Sequence, residues 1–185
     1  MKYKTVKEKE KDSFLKLKPV YQYKNALAAP KVKKVVINVG TGALLKKDKN
    51  KNEAIMERLA KISGQKASLR PAKQSIASFK IRKGDPIGVM VTLRGSRMYS
   101  FLEKLINVAI PRTKDFRGIS RGSVDSIGNL TIGVKEHTIF PETADEDIKD
   151  VFGLSITVTS TAKSKEEGLK FFEELGIPFK KEEKA

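Results

Sequence analysis

The stretch Ile87-Gly88-Val89-Met90-Val91-Thr92-Leu93-Arg94 alternates with period two: every odd position is a large aliphatic, and the even ones are small, flexible or polar. Such a run is a two-faced strand. It sets Ile87, Val89, Val91 and Leu93 toward a core and leaves Thr92 and Arg94 on the opposite face. The pattern recurs on either side. In 32–40, Val35, Ile37 and Val39 share one face while Val36 and Asn38 take the other, and in 154–161 Leu154, Ile156 and Val158 alternate with Ser155, Thr157, Thr159 and Thr161. Residues 129–137 read as a further strand. Over 74–82, Ala77, Phe79 and Ile81 alternate with Ser78, Lys80 and Arg82, which predicts a strand joined to 87–95 by the turn Lys83-Gly84-Asp85-Pro86.

Three segments carry helical spacing instead. Ile55, Leu59 and Ile62 form one stripe over 52–63, with Gly64 as the stop. Met98, Phe101, Leu102, Leu105, Ile106 and Ala109 form a second stripe, read as capped by Ser96 and ended by Pro111. The third opens with the capping-box sequence Ser164-Lys165-Glu166-Glu167, runs through Leu169, Phe172 and Leu175, and stops at Gly176 before Pro178. Residues 14–27, interrupted by Pro19, give no clear helix, and the charged run 1–12 reads as a solvated end. The loop 112–128 reads as too polar to pack. It carries Arg112, Lys114, Arg117 and Arg121, with Phe116 among them. These elements define an α+β fold: a largely antiparallel sheet with helices packed on one face and an opposite face, bearing Asn38, Ser78, Lys80, Thr92, Arg94 and a threonine row, left open.

The charge says what such a face meets. Among 185 residues, 38 Lys and Arg stand against 22 Asp and Glu, a formal net charge of +16, which implies a polyanionic partner. No apolar run approaches the roughly 18 residues of a membrane span. The absence of cysteine excludes disulfides and thiolate chemistry and fits a reducing cytoplasm. His137 is the only histidine, so no histidine-based metal site forms, and its expected role is structural or an exposed contact. Gly40-Thr41-Gly42 lacks the further glycines or the Gly-Lys-Ser/Thr ending of a nucleotide loop. The acidic residues Glu142, Asp145, Glu146, Asp147 and Asp150 lack the glycine-centred spacing of a Ca²⁺ loop. No nucleophile, base and oxyanion donor assemble, and neither a cofactor nor a metal is expected. A basic threonine-rich face is also what a solvated sheet surface looks like. Against that bland reading stand hydroxyl and amide groups on flat strands, interleaved cations, and basic loops at the sheet ends, a surface matched to the shallow groove and 2′-hydroxyls of folded RNA.

The motifs Val35-Val36-Ile37-Asn38-Val39-Gly40, Ile62-Ser63-Gly64-Gln65-Lys66, Phe79-Lys80-Ile81-Arg82-Lys83-Gly84, Pro86-Ile87-Gly88, Val91-Thr92-Leu93-Arg94-Gly95, Arg112-Thr113-Lys114-Asp115-Phe116-Arg117-Gly118 and Ile139-Phe140-Pro141-Glu142 resemble, in order, the family of large-subunit ribosomal proteins that bind 5S rRNA, the fifth of its series, in its bacterial form. The resemblance covers 29–180. It implies a ribosome-bound cytoplasmic protein of the central protuberance, with 1–28 a basic extension and partial helix, 29–180 the 5S rRNA-binding α+β domain, and 181–185 a polar tail. It further implies that Asn38, Gln65, Thr92 and Arg94, with Ser78 and Lys80 on the same face, meet 5S rRNA. The loop carrying Arg82, Lys83 and Gly84 would lie near P-site tRNA, and the loop with Arg112, Lys114, Arg117 and Arg121 would face the small-subunit head. Implied partners are 5S rRNA, large-subunit rRNA, P-site tRNA and neighbouring ribosomal proteins of the protuberance and of that head. The competing readings are a free-standing RNA chaperone or regulator and an enzyme on an α+β scaffold. The N-terminal run and Gly42-Ala43-Leu44-Leu45-Lys46-Lys47 depart from the family pattern.

Overall fold

The structure, a computed structural model, describes residues 4–42, 51–114, 116–144 and 151–180. The lysine-rich loop over 46–50, the acidic residues Asp145, Glu146, Asp147 and Asp150, and the tail 181–185 lie outside the described residues. Short 3-10 and π turns aside, nine helices and strands follow one another among those described: α1 (Val6–Tyr21), β1 (Val32–Gly40), α2 (Lys51–Ser63), β2 (Ser68–Pro71), β3 (Pro86–Leu93), α3 (Gly95–Lys104), β4 (Leu130–Val134), β5 (Leu154–Ser160) and α4 (Lys165–Leu175). The strands make one antiparallel sheet in the order β2-β3-β1-β5-β4, so the fold is α+β. The chain divides into two compact units, the first from Met1–Val35, Arg94–Ile132 and Thr157–Ala185, the second from Val36–Leu93 and Gly133–Ile156.

In the second unit the alternation of β3 holds: Val89, Val91 and Leu93 are buried, and Thr92 and Met90 are half-buried on the other side. Gly88 lets the strands approach closely: a Cβ there would sit 3.3 Å from the Val39 carbonyl oxygen, tighter than an ordinary van der Waals contact. α2 lays Ile55, Leu59 and Ile62 against β3, and Asn52 Nδ2 ties its first turn to the Pro86 carbonyl at 3.1 Å. Its end is fixed by Gly64 at φ 66° and by the Ser63 hydroxyl, which donates to the Leu59 carbonyl at 2.6 Å. The expected strand 129–137 stops at Val134 instead. His137 is fully buried, its ring stacked on Phe152 at 4.1 Å, and its Nδ1 accepts from the Phe152 amide at 3.3 Å.

The strand expected over 74–82 does not form, so Ser78 and Lys80 are not on the sheet. Ile76 and Ile81 exchange backbone hydrogen bonds of 2.9 and 3.2 Å with each other, a 3-10 turn spans Ala77–Phe79, and Lys80 at φ 54° sends the chain back on itself. β3 pairs instead with the four-residue β2, in the register Ser68↔Met90, Leu69↔Val89 and Arg70↔Gly88 before a shift at Pro71. A short edge strand carrying Arg70 and ending in proline resists further pairing.

In the first unit the charged N-terminal run is helical. Thr5 caps α1 through a capping box with Glu8, and Val6, Ser13 and Leu17 turn inward. Pro19 is tolerated because it sits in the last turn, where its missing N–H forfeits one bond. α3 is capped at Arg94, not Ser96, and without a side-chain bond; Gly95 at φ 60° is its first residue. A π-helical turn, Leu105–Ala109, continues it and keeps Leu105, Ile106 and Ala109 buried. α4 takes its cap from Ser164, whose hydroxyl accepts from the Glu167 amide at 3.3 Å. The Glu167 carboxylate is buried and receives the Lys163 amide at 2.7 Å and the Tyr23 hydroxyl. The loop 112–128 does pack, through Ile119 and Val124, and the Ile119 amide donates to the Pro178 carbonyl at 2.8 Å.

Candidate RNA interface

The outward face of the second unit carries amide and hydroxyl groups on β1, β3 and β5 beside the half-buried Val36 and Met90. Asn38 is exposed, and its carbonyl receives the Ser155 hydroxyl at 3.4 Å. Gln65, just past α2, is half-buried, and its Nε2 donates to the Thr92 carbonyl at 3.1 Å. That bond orients the amide and leaves Gln65 Oε1 and the Thr92 hydroxyl without a partner among the described residues. The half-buried Gln65 and Thr92 thereby keep an amide oxygen and a hydroxyl available, groups of the kind that read sugar and base edges.

The same unit carries a closed basic loop. Between Ser68 and Pro86 lie Arg70, Lys73, Lys80, Arg82 and Lys83, all exposed, against the single acid Asp85. Asp85 is committed to the backbone. Its carboxylate accepts the Arg82 amide at 2.7 Å, and its carbonyl accepts the Ala72 amide at 2.8 Å. Gly84, at φ 96°, returns its amide to the Ala72 carbonyl at 3.0 Å, and Ser75 Oγ accepts the Lys83 amide at 2.9 Å. Lys80 occupies the left-handed region, which costs a non-glycine residue roughly 1 kcal/mol and persists because the surrounding bonds impose it. Sequence reading placed Phe79 on the core side; it is 58% exposed.

In the first unit Arg94, at the N-cap of α3, is exposed, and Thr131 and Thr157 join their hydroxyls across β4 and β5 at 3.2 Å. Arg112, Lys114 and Arg117 are exposed. Arg121 is not available in the same way: it is half-buried and paired with Glu173 at 2.9 Å. Sequence reasoning missed Phe79 and Arg70. Phe79 obeyed the alternation of a false strand, and Arg70 lies on a strand too short to show a period.

The described residues hold no group of three or more His, Cys, Asp or Glu able to bind a metal, and no helix long and apolar enough to cross a membrane. A cavity of about 210 Å³ in the first unit is lined by Lys7, Glu10, Phe14, Lys31 and Tyr99 among others. Its carboxylate is structural. Glu10 accepts the Tyr99 hydroxyl and the Val32 amide, both at 2.9 Å, and burial together with that carboxylate pushes the Tyr99 phenol up to about 12.

An α+β sheet protein with amide and hydroxyl groups on one sheet face and exposed basic loops has the surface chemistry of a structural, RNA-associated protein. Residues 25–82 match the family model described as ribosomal protein L5, and residues 86–179 match the model of the C-terminus of the same ribosomal family. Relatives include the large ribosomal subunit protein uL5 of Trichlorobacter lovleyi, 47% identical over 89% of this chain and 92% of that one. The same protein of a Thermoanaerobacter species is 48% identical over 93% and 96%, and that of Desulforapulum autotrophicum is 45% identical over 95% and 98%. The chain belongs to the ribosomal protein L5 family, a family of structural proteins rather than enzymes.

Proposed function

We propose that this chain, as a constituent of the large ribosomal subunit in the cytoplasm, binds 5S rRNA through Asn38, Gln65, Thr92 and Arg94. The observation that carries this reading is the bond from Gln65 Nε2 to the Thr92 carbonyl, which orients the Gln65 amide beside Thr92 of β3, a strand whose other face is core. Arg94, two residues along, supplies a guanidinium fork for phosphate. The basic loop with Lys80, Arg82, Lys83 and Gly84 meets the backbone of P-site tRNA, and Arg112, Lys114 and Arg117 face the small-subunit head. Ser78 travels with the loop, not with the sheet. Large-subunit rRNA and neighbouring ribosomal proteins complete the surroundings.

The test is a titration of the purified chain against 5S rRNA and against a scrambled RNA of equal length, across salt. Any basic protein loses affinity with salt, by a log-log slope of about 0.7 to 0.9 per phosphate contacted, so only a 5S preference that persists at high salt reports specific readout. Thr92→Ala with Arg94→Ala should lower 5S affinity about tenfold or more and reduce the slope by about one, with melting unchanged. A preference that vanishes with salt would favour the chaperone reading.

A further inference from the structure

We infer that Phe79 is a base-stacking residue: its ring, held out of the second unit by a hydrogen-bonded loop, takes the face of an unpaired RNA base while the cations around it hold the flanking phosphates. This rests on the RNA-binding reading above and adds a contact of a different kind, aromatic rather than polar.

Four observations converge. The ring is exposed although it is the largest apolar side chain of its loop, and its neighbour Ile76 is 45% exposed beside it. Ile81, by contrast, is half-buried and reaches to within 3.8 Å of the position a Cβ on Gly42 would take, so the loop has an inward anchor and Phe79 is not it. The turn that presents the ring is closed at its base by the paired Ile76 and Ile81 and tightened by the Lys80 amide on the Ala77 carbonyl at 3.0 Å, so little order has to be gained on binding. The surrounding charge is one-sided. Lys73, Lys80, Arg82 and Lys83 are exposed and in no ion pair among the described residues, while the carboxylate of the one acid is taken by a backbone amide. An exposed aromatic on a loop that also carries these exposed cations matches a nucleobase flanked by phosphates; an apolar protein surface would have no use for the charge.

The base belongs either to rRNA or to tRNA, and the experiment has an arm for each. The chain contains no tryptophan, so Phe79→Trp places a single indole reporter at the site. Stacking quenches its emission on addition of 5S rRNA or large-subunit rRNA fragments to the free chain. For the tRNA arm, large subunits reconstituted with each variant are joined to small subunits and scored for retention of P-site tRNA. Phe79→Ala should weaken binding to one of these RNAs about tenfold with the salt slope unchanged. Phe79→Trp should retain affinity, and Phe79→Leu, apolar but without a π face, should fall with the alanine variant.

Three results overturn the assignment: no quenching by rRNA together with unchanged tRNA retention by the alanine variant, rescue by leucine as complete as by tryptophan, or a loss that appears only as a lower salt slope. Rescue by leucine would assign the patch to a protein neighbour. The unsubstituted chain is measured for 5S preference in parallel. A normal preference with no effect at position 79 removes the stacking role alone, whereas a lost preference with quenching intact removes the sheet-face reading and leaves the stacking role in place.

Discussion

Gly168 of α4 meets Gly128 backbone to backbone. A Cβ on Gly168 would lie 2.6 Å from the Gly128 Cα and 2.9 Å from its carbonyl oxygen, and neither is a flexible tip that can move aside. Gly168→Ala should therefore destabilise the first unit by about 1–3 kcal/mol, the usual range for overpacking, read as a lower urea midpoint with an unchanged slope. Gly133→Ala, with open space around the new methyl, is the control and should shift it by less than about 0.5 kcal/mol. Equal shifts in the two variants would mean that α4 has room to slide. At this scale the sequence was readable wherever a residue's environment follows from its own element. Ile55, Leu59 and Ile62 are buried as their spacing requires, and Asn38 and Thr92 point outward. It was unreadable where the partner lies far along the chain: nothing near Arg121 announces Glu173, and nothing near Gly168 announces Gly128.

The N-terminal helix and the false strand at 74–82 show where element-level reading succeeds or fails. The signal for α1 was present as Thr5-Val6-Lys7-Glu8, a capping box, but its low apolar content and Pro19 outweighed it. Only Val6, Ser13 and Leu17 of the helix are buried, so caps and backbone links carry a larger share of its stability. The Glu103 carboxylate receives the Val6 amide at 3.1 Å, and Glu10 receives the Val32 amide. Thr5→Ala removes the acceptor for the Glu8 amide and should cost about 1 kcal/mol, while Thr5→Ser keeps the cap and most of the stability. Urea unfolding followed by far-ultraviolet circular dichroism decides it. An alanine variant as stable as the parent would show that the first turn is already frayed. The false strand failed for a different reason. Period two is a property of spacing alone, and six residues that pair with themselves through a left-handed lysine can satisfy it. The strand that pairs β3 on the side away from β1 has four residues, all exposed, and so no pattern to read.

For the whole molecule the governing quantity is the net charge of +16, which acts in opposite directions on the free chain and on its RNA complex. In the free chain the excess cations repel one another, and added salt screens that repulsion over a Debye length of about 10 Å at 0.1 M. Its Tm should therefore rise as salt is raised. In the complex, RNA binding stabilises the folded chain by RT ln(1 + [RNA]/Kd), about 2.7 kcal/mol at a hundredfold excess over Kd, and Kd itself weakens with salt as condensed counterions cease to be released favourably. The rise in Tm conferred by a scrambled RNA should thus fall toward zero over the range where the free chain is still gaining. The rise conferred by 5S rRNA should shrink and then level, because the bonds proposed for Asn38, Gln65 and Thr92 would release no counterions and survive screening. Melting the chain alone, with scrambled RNA and with 5S rRNA at each salt concentration gives three curves. If the 5S and scrambled curves coincide throughout, charge accounts for all the binding and the oriented groups on the sheet contribute no specificity; if they separate only at high salt, the polar face is the part of this basic protein that distinguishes one RNA from another.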